Sequence, residues 1–207
     1  VPAHIYRAVA DASQRVGVSF AYLMSKAETE SSFNANAQAG TSSAKGLYQF
    51  IESTWLDMVK KNGAEYGLEK YANAITRRSN GSLTVADPAL RREILALRKD
   101  PQLSAYMAAE YANENRQYLS ARLNREVTDT DLYMAHFLGA GGAVKFLTAM
   151  DKNPNQRAAA ILPTAADANH GVFYSRSSGN ALSLAQVYDR FNRKFDATPT
   201  YYAEGDD

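Results

Sequence analysis

The stretch KAETESSFNANAQAGTSSAKGLYQF, residues 26–50, joins the end of a helical pattern to a polar loop and a second apolar motif. The residues that follow the spacing of one apolar helix face are Phe20, Leu23, Met24 and Ala27. Glu30 continues that face, whereas Glu28 lies about 200° away around the helix. We therefore expect Glu28 in solvent and Glu30 turned toward the apolar side.

Glu30 falls in the last turn of this predicted helix, because Asn34, Asn36 and Gly40 indicate a loop. Burial and the negative end of the helix dipole both disfavour an ionised carboxylate there, so the pattern predicts a raised pKa for Glu30. A carboxyl group that is still protonated near neutral pH can act as a general acid. The alternative is that Glu30 pairs with an arginine or caps backbone amides of the loop.

Helical start and stop signals dominate the rest of the chain and predict a mainly α-helical fold. The predicted helix caps are Ser19, Ser53, Asp87 and Asp100, together with a capping box of Ser183 and Gln186. Strand signals are confined to GVFYS, residues 171–175, where we expect a short strand or hairpin arm.

The length and order of these patterns fit one domain over residues 1–207. Turn residues bracket a segment from about 64 to 100, which we interpret as a helical insertion within that domain. The polar, acidic end of the chain predicts a flexible tail from about residue 197. Val1-Pro2 opens directly into helical pattern, as in a trimmed chain, so we expect that a targeting segment is not part of this sequence.

The composition limits the classes of function. A net charge of +1 gives no general attraction for nucleic acid. The chain has no cysteine, and its three histidines are scattered, so no metal site and no cofactor are predicted. No apolar run reaches the ~18–20 residues that a membrane span needs.

Two motifs in this stretch resemble those of the lytic transglycosylases of the SLT superfamily, which are related to goose-type lysozyme. Residues 30–33, Glu-Ser-Ser-Phe, match the family's Glu-Ser-x-Phe. Residues 46–50, Gly-Leu-Tyr-Gln-Phe, match its Gly-Leu-Met-Gln-Phe/Leu, with Tyr48 in place of the usual methionine. The resemblance implies a lysozyme-like helical fold in which Glu30 is the catalytic residue.

The family's third motif, Ala-Tyr-Asn-Ala-Gly, has a partial counterpart at residues 135–139, Ala-His-Phe-Leu-Gly. His136 and Phe137 replace the family's tyrosine and asparagine, and Tyr133 precedes His136 by one turn. For the family's late site tyrosine the candidates are Tyr174 and Tyr188, of which we choose Tyr174. Tyr188 lies on an apolar helix face that is more typical of a core residue.

The resemblance implies cleavage of the β-1,4 bond between N-acetylmuramic acid and N-acetylglucosamine in peptidoglycan, with closure of a 1,6-anhydro ring. It further implies a cell-envelope enzyme, periplasmic or secreted, that is a monomer without a cofactor. The residues that the family's motifs place at the substrate are Ser31, Ser32, Gly46, Tyr48, Gln49, Phe50, Tyr133, His136 and Tyr174. One of Tyr48 and Phe50 is expected in the core, because adjacent residues face different ways, and so is Trp55.

Two alternatives stay open at this point. A muramidase, including the phage endolysin type, would hydrolyse the same bond, but it usually needs a second carboxylate. Glu52 and Asp57 are the nearest candidates, although both lie where helix starts commonly carry acids. A non-catalytic glycan-binding protein of the same fold is the second alternative.

Overall fold

The computed structural model describes residues 1–196, with side chains described through Arg193. Helices dominate the described residues, which confirms the predicted mainly α-helical class. The chain forms two compact units, the first of which comprises Val1–Asn113. The second begins at Glu114 and is described through residue 196. The expected flexible tail from about residue 197 lies outside the described residues.

The first unit begins with two helices and a long loop before the third. Its helices are α1 (Ala3–Val16), α2 (Phe20–Ser31), α3 (Glu52–Asn62), α4 (Glu69–Ala74), α5 (Pro88–Ala96) and the start of α6 (Pro101–Leu123). Two 3₁₀ helices, Gly63–Tyr66 and Leu97–Lys99, connect them. As predicted, the side chains of Ser19 and Asp87 cap α2 and α5. The helix expected after Ser53 instead starts at Glu52, without a side-chain cap.

A two-stranded antiparallel hairpin interrupts the segment that we expected to be a helical insertion. Its strands are β1 (Ile75–Arg77) and β2 (Leu83–Val85), and Ile75 is paired with Val85. The loop between them contains Asn80-Gly81, a dipeptide that is typical of hairpin turns. The hairpin therefore lies elsewhere than expected. In place of the predicted arm at 171–175, His170–Phe173 is a short helix, and Tyr174 makes one bridge to Ala181.

The interior of the first unit is built around Trp55, which is fully buried. Its indole Nε1 donates to the carbonyl oxygen of Ile94 at 2.8 Å, and its ring packs on Phe50 at 5.2 Å between centroids. Trp55 is thus a core residue, as expected, and it ties α3 to α5. Through this contact the segment from 64 to 100 packs into the same interior as the loop before α3.

The second unit contains the rest of α6 and six further helices. These are α7 (Asp129–Leu138), α8 (Ala140–Lys152), α9 (Ala158–Ile161), α10 (Pro163–Ala168), α11 (His170–Phe173) and α12 (Leu184–Asp196). The predicted capping box of Ser183 and Gln186 starts α12 with reciprocal bonds of 2.9 and 3.1 Å. Helix α7 packs against α8 and α12.

A buried carboxylate organises the start of α7. Asp131 is fully buried and accepts bonds from Arg125 at 2.6 and 3.2 Å, and it completes a capping box with Thr128. The hydroxyl of Tyr188 donates to the same carboxylate at 3.2 Å. No helix among residues 1–196 is long and apolar enough to cross a lipid bilayer.

Candidate functional site

Glu30 lies in the last turn of α2 and is half-buried, whereas Glu28 is exposed. Three residues of the predicted apolar stripe, Leu23, Met24 and Ala27, are fully buried. The structure therefore separates the two carboxylates in the way that the helical spacing predicts. Glu30 stands where the buried face of α2 meets the following loop.

The backbone after Glu30 takes an uncommon conformation. Ser32 and Phe33 both have positive φ angles, 51° and 63°. The amide of Ser32 donates to the carbonyl of Glu28 at 2.9 Å, so the chain ends the helix with a left-handed residue that is not glycine. Left-handed conformations are costly for residues with a Cβ atom and are maintained by their surroundings.

Ser31 connects this helix end to the second motif. Its hydroxyl lies 2.7 Å from the carbonyl oxygen of Leu47 and 3.1 Å from that of Ala27. The bond to Leu47 bridges sixteen positions of sequence. Ser31 thus holds the loop against the turn that carries Glu30, while Ser32 is exposed at the surface.

Lys26 lies one helical turn before Glu30 and is only 4% exposed. Its ammonium stands 5.4 Å from the ring centroid of Tyr111 on α6. Burial lowers the pKa of Lys26 to about 8, and the charge of Glu30 acts in the opposite direction. A buried amine of this kind is rare, since an ammonium without water needs nearby negative charge or a ring face.

Gly46 is the point where the loop meets a second buried cation. A Cβ atom at Gly46 would lie 1.9 Å from the carbonyl oxygen of Arg98, and the residue has a φ of +85°. The guanidinium of Arg98 is 2% exposed and donates through Nη1 to Ser43 at 2.6 Å and to Phe50 at 3.0 Å. The close approach that requires a glycine here is the approach to the Arg98 backbone.

Gln49 closes the turn that begins at Gly46. Its φ is +52°, and its amide nitrogen Nε2 donates to the carbonyl oxygens of Gly46 at 2.9 Å and Ala37 at 3.1 Å. Both bonds that Nε2 donates therefore stay within the loop. The carbonyl oxygen Oε1 is then the part of the side chain that is suited to accept a bond from a ligand.

Tyr48 and Phe50 lie in the interior of the unit, at 3% and 6% exposure. The hydroxyl of Tyr48 donates to the carbonyl oxygen of Leu23 at 2.9 Å, and burial raises its pKa. We expected one of the two in the core, and the structure buries both. Their contacts join the loop to Leu23 of α2 and to Trp55 of α3.

Tyr133 and His136 lie together on α7 in the second unit. Their ring centroids are 6.1 Å apart, with Tyr133 buried at 8% exposure and His136 half-buried. Tyr133 also packs on Phe191 of α12, at 5.5 Å.

The two late tyrosines differ in their surroundings. Tyr174 follows α11 and stacks on His170 with ring centroids 4.1 Å apart. The hydroxyl of Tyr188 bonds to Asp131 and lies 3.1 Å from the hydroxyl of Thr128. Tyr188 therefore supports the start of α7.

A family model described as the transglycosylase SLT domain matches residues 7–77. Residues 7–77 are therefore similar to the SLT transglycosylase domain. The matched segment contains Glu30 and the whole Gly46–Phe50 motif, and it ends at the last residue of β1. SLT transglycosylases form a glycan-cleaving family that acts on peptidoglycan, and both motifs lie in the part of the chain that is similar to their domain. Tyr133, His136 and Tyr174 lie outside the match.

A cavity of about 740 Å³ opens beside the loop that precedes α3, between α3, α5 and the hairpin. Ser43 and the exposed Ile51, which flank the second motif, line it. Two ion pairs form its walls, Glu52 with Arg91 at 3.1 Å and Asp57 with Arg77 at 3.3 Å. Among the described residues, no group of three acidic or histidine side chains could hold a metal ion.

Sequence reasoning missed two residues of this site, Lys26 and Arg98. Lys26 had a local signal, because it lies three residues after Leu23 and four before Glu30 on the buried face. Arg98 had none, since its partners Ser43 and Phe50 are about fifty positions away in sequence.

Proposed function

We propose that this chain cleaves peptidoglycan glycan strands by lytic transglycosylation, with Glu30 as the catalytic residue. The observation that carries the proposal is the position of Glu30, which is half-buried at the end of α2. The bond from Ser31 to Leu47 joins this helix end to the loop that contains Gln49. Both parts lie inside the matched SLT segment. A single carboxyl group held in a fixed place against a loop is what this reaction requires.

The proposed reaction needs one carboxyl group for two proton transfers. Glu30 donates its proton to the oxygen of the β-1,4 bond between N-acetylmuramic acid and N-acetylglucosamine, and the bond from C1 to that oxygen breaks. The Glu30 carboxylate then takes the proton of the muramyl 6-hydroxyl as its oxygen bonds to C1. The 1,6-anhydro ring closes, no water is consumed, and Glu30 ends protonated as it began.

Backbone strain in the two motifs supports this location of the site. Of the four non-glycine residues with positive φ among those described, three are Ser32, Phe33 and Gln49. Such residues cost about 1–3 kcal/mol each and cluster at functional sites. Here Ser32 and Phe33 follow Glu30 directly. Gln49 closes the turn that begins at Gly46, in the loop to which Ser31 bonds.

Hydrolysis of the same bond is the nearest alternative, and the arrangement of other carboxylates favours the lytic reaction. A hydrolase usually needs a second carboxylate to activate water or to form a covalent intermediate. Glu52 is paired with Arg91, and Asp57 with Arg77 and with Lys61 at 2.8 Å. Both candidates are thus engaged in ion pairs that line the cavity between α3, α5 and the hairpin.

We also propose Tyr133, His136 and Tyr174 of the second unit as glycan-contacting residues. His136 and Tyr174 are half-buried, so their rings retain exposed surface that can pack on a sugar. Tyr133 is 8% exposed and offers a sugar little of its ring. Replacing His136 by alanine should then raise KM for glycan strands, and unchanged kinetics would assign His136 a purely structural role. We further propose that the chain acts in the periplasm or outside the cell, where its substrate lies.

The direct test of Glu30 compares two isosteric variants on the same helix. Glu30→Gln should abolish release of soluble fragments from purified sacculi while leaving the fold and glycan binding intact. Glu28→Gln, two residues away and exposed, is the matched control and should keep near-normal activity. Full activity in Glu30→Gln, or a comparable loss in Glu28→Gln, would refute the assignment. Binding without turnover in the wild-type protein would favour the non-catalytic alternative.

A further inference from the structure

The reaction described above leaves one buried group of the site without a role, the ammonium of Lys26. Only 4% of this residue is exposed, although it lies on the helix that carries Glu30. Immobilising and burying a lysine without need is costly, because both its charge and its side-chain entropy are penalised. Its place in the interior therefore calls for a compensating interaction.

Helix geometry brings Lys26 and Glu30 together. Residues four apart lie on the same face of a helix, about 6 Å apart along its axis. Helix α2 runs unbroken from Phe20 to Ser31, so it holds both residues in this relation. The ring of Tyr111 on α6 faces the ammonium from the other side, at 5.4 Å.

We propose that Lys26 is a positioning residue for Glu30, and that its buried ammonium stabilises the carboxylate that Glu30 becomes after it has donated its proton. This inference rests on the proposed function for its catalytic consequence, but the coupling of the two charges does not depend on it. Lys26 touches no substrate in this account and acts through Glu30 alone.

The charges around Glu30 act in opposite directions. The end of the α2 dipole disfavours a carboxylate there. An ammonium one turn away favours it, and the burial of Lys26 reduces the screening of its charge by water. The groups that act on the ammonium, among the described residues, are the Glu30 carboxylate on its own helix and the Tyr111 ring from α6. Lys26 thus sets how readily Glu30 releases its proton and takes one back.

The coupling can be measured without any substrate. We would follow the titration of the Glu30 carboxyl carbon by NMR, assigned by its loss in Glu30→Gln. In Lys26→Met, which keeps an apolar stem but no charge, the midpoint should rise by about one pH unit or more. Lys26→Arg should restore a midpoint near that of the wild type. An unchanged midpoint in Lys26→Met would overturn the proposal.

Two controls keep this test decisive. Lys70→Met removes an exposed lysine of the same unit and should leave the Glu30 midpoint where it is. Should Lys26→Met fail to fold, the reciprocal measurement uses Glu30→Gln, in which the Lys26 amine should titrate at lower pH than in the wild type. An amine midpoint equal to that of the wild type would contradict the coupling just as directly.

The kinetic consequence separates Lys26 from a purely structural residue. Because the acid form of Glu30 starts the reaction, activity should fall as pH rises through the midpoint of Glu30. In Lys26→Met this fall should move to higher pH, while kcat on the low-pH plateau drops several-fold with little change in KM. A uniform loss at every pH would contradict the proposal. If the NMR midpoints shift as expected but the wild-type protein cleaves no glycan, the proposed function is refuted and the charge coupling stands.

Discussion

The hydroxyl of Ser31 lies 2.7 Å from the carbonyl oxygen of Leu47, and this bond holds the end of the Glu30 helix against the loop of the second motif. The two motifs of the SLT segment are thus one structural unit, although sixteen positions separate the bonded residues. On the loop side, Gly46 and Arg98 maintain the turn that Ser31 contacts.

Replacing Ser31 by alanine should loosen the junction between α2 and the loop. The change removes the bonds to Leu47 and Ala27 and should lower the free energy of unfolding by about 1–2 kcal/mol. Activity on glycan strands should fall more than stability, because Glu30 then loses its fixed relation to the loop. Denaturant unfolding and initial rates on sacculi measure the two effects. Ser32→Ala, at an exposed neighbour, is the control for stability and should change the free energy of unfolding little.

Gly46→Ala should be among the most damaging single changes in the loop. The added Cβ atom would lie 1.9 Å from the carbonyl oxygen of Arg98, so the backbone has to move. We expect a loss of 3 kcal/mol or more, or failure to fold. Gly67→Ala is the matched control, because Gly67 has a φ of +75° but open space around it, and it should cost only about 1 kcal/mol. Equal losses at both positions in thermal unfolding would show that strain alone, and not the approach of Arg98, requires Gly46.

Arg98→Ala should unfold the loop before it unfolds the rest of the first unit. The guanidinium donates to the carbonyls of Ser43 and Phe50, and without it Phe50 would keep only the bond from the Lys45 amide at 3.1 Å. We expect a loss of about 2–4 kcal/mol, and faster hydrogen exchange of residues 43–50. Arg92, which is exposed on α5, provides the control, since Arg92→Ala should change stability by less than about 0.5 kcal/mol. Slow exchange of the loop in Arg98→Ala would mean that other contacts hold it.

Lys26 should also make the stability of the protein depend on pH. Its pKa is about 8 in the folded state and 10.5 when exposed, so between these values the unfolded chain binds more protons. The free energy of unfolding should therefore rise as pH goes from 8 to 10.5, by up to about 3 kcal/mol relative to Lys26→Met. Below pH 8 both states carry the charge and the difference between the two proteins should be constant. Chemical denaturation of both proteins over this range measures it, and parallel curves throughout would exclude a buried, perturbed amine.

The sequence correctly predicted the features that depend on contacts within one or two helical turns. The caps at Ser19, Asp87 and Ser183 follow from side-chain bonds within one helical turn, and they are present. The separation of Glu28 from Glu30 follows from the helical repeat, and it is observed as well. These features need no knowledge of the rest of the chain.

The features that the sequence did not predict depend on contacts between distant parts of the chain. That Gly46 makes room for Arg98 can be known only once the 64–100 segment is packed against the loop. Tyr48 and Phe50 are both buried. The expectation that only one of them would be in the core treated them as adjacent residues, whereas they are two apart, on either side of the turn at Gln49. The hairpin of Ile75 and Val85 carried a usable Asn-Gly turn signal, which the surrounding helical pattern obscured.

The central claim is that the Glu30 carboxyl cleaves peptidoglycan by closing a ring and not by adding water. Mass spectrometry of the soluble products from purified sacculi tests it most directly. The account predicts fragments ending in 1,6-anhydromuramic acid, each one water lighter than the hydrolysis product, and their absence from a digest with Glu30→Gln. Fragments with a free reducing end as the main product, or anhydro fragments released equally by Glu30→Gln, would contradict it.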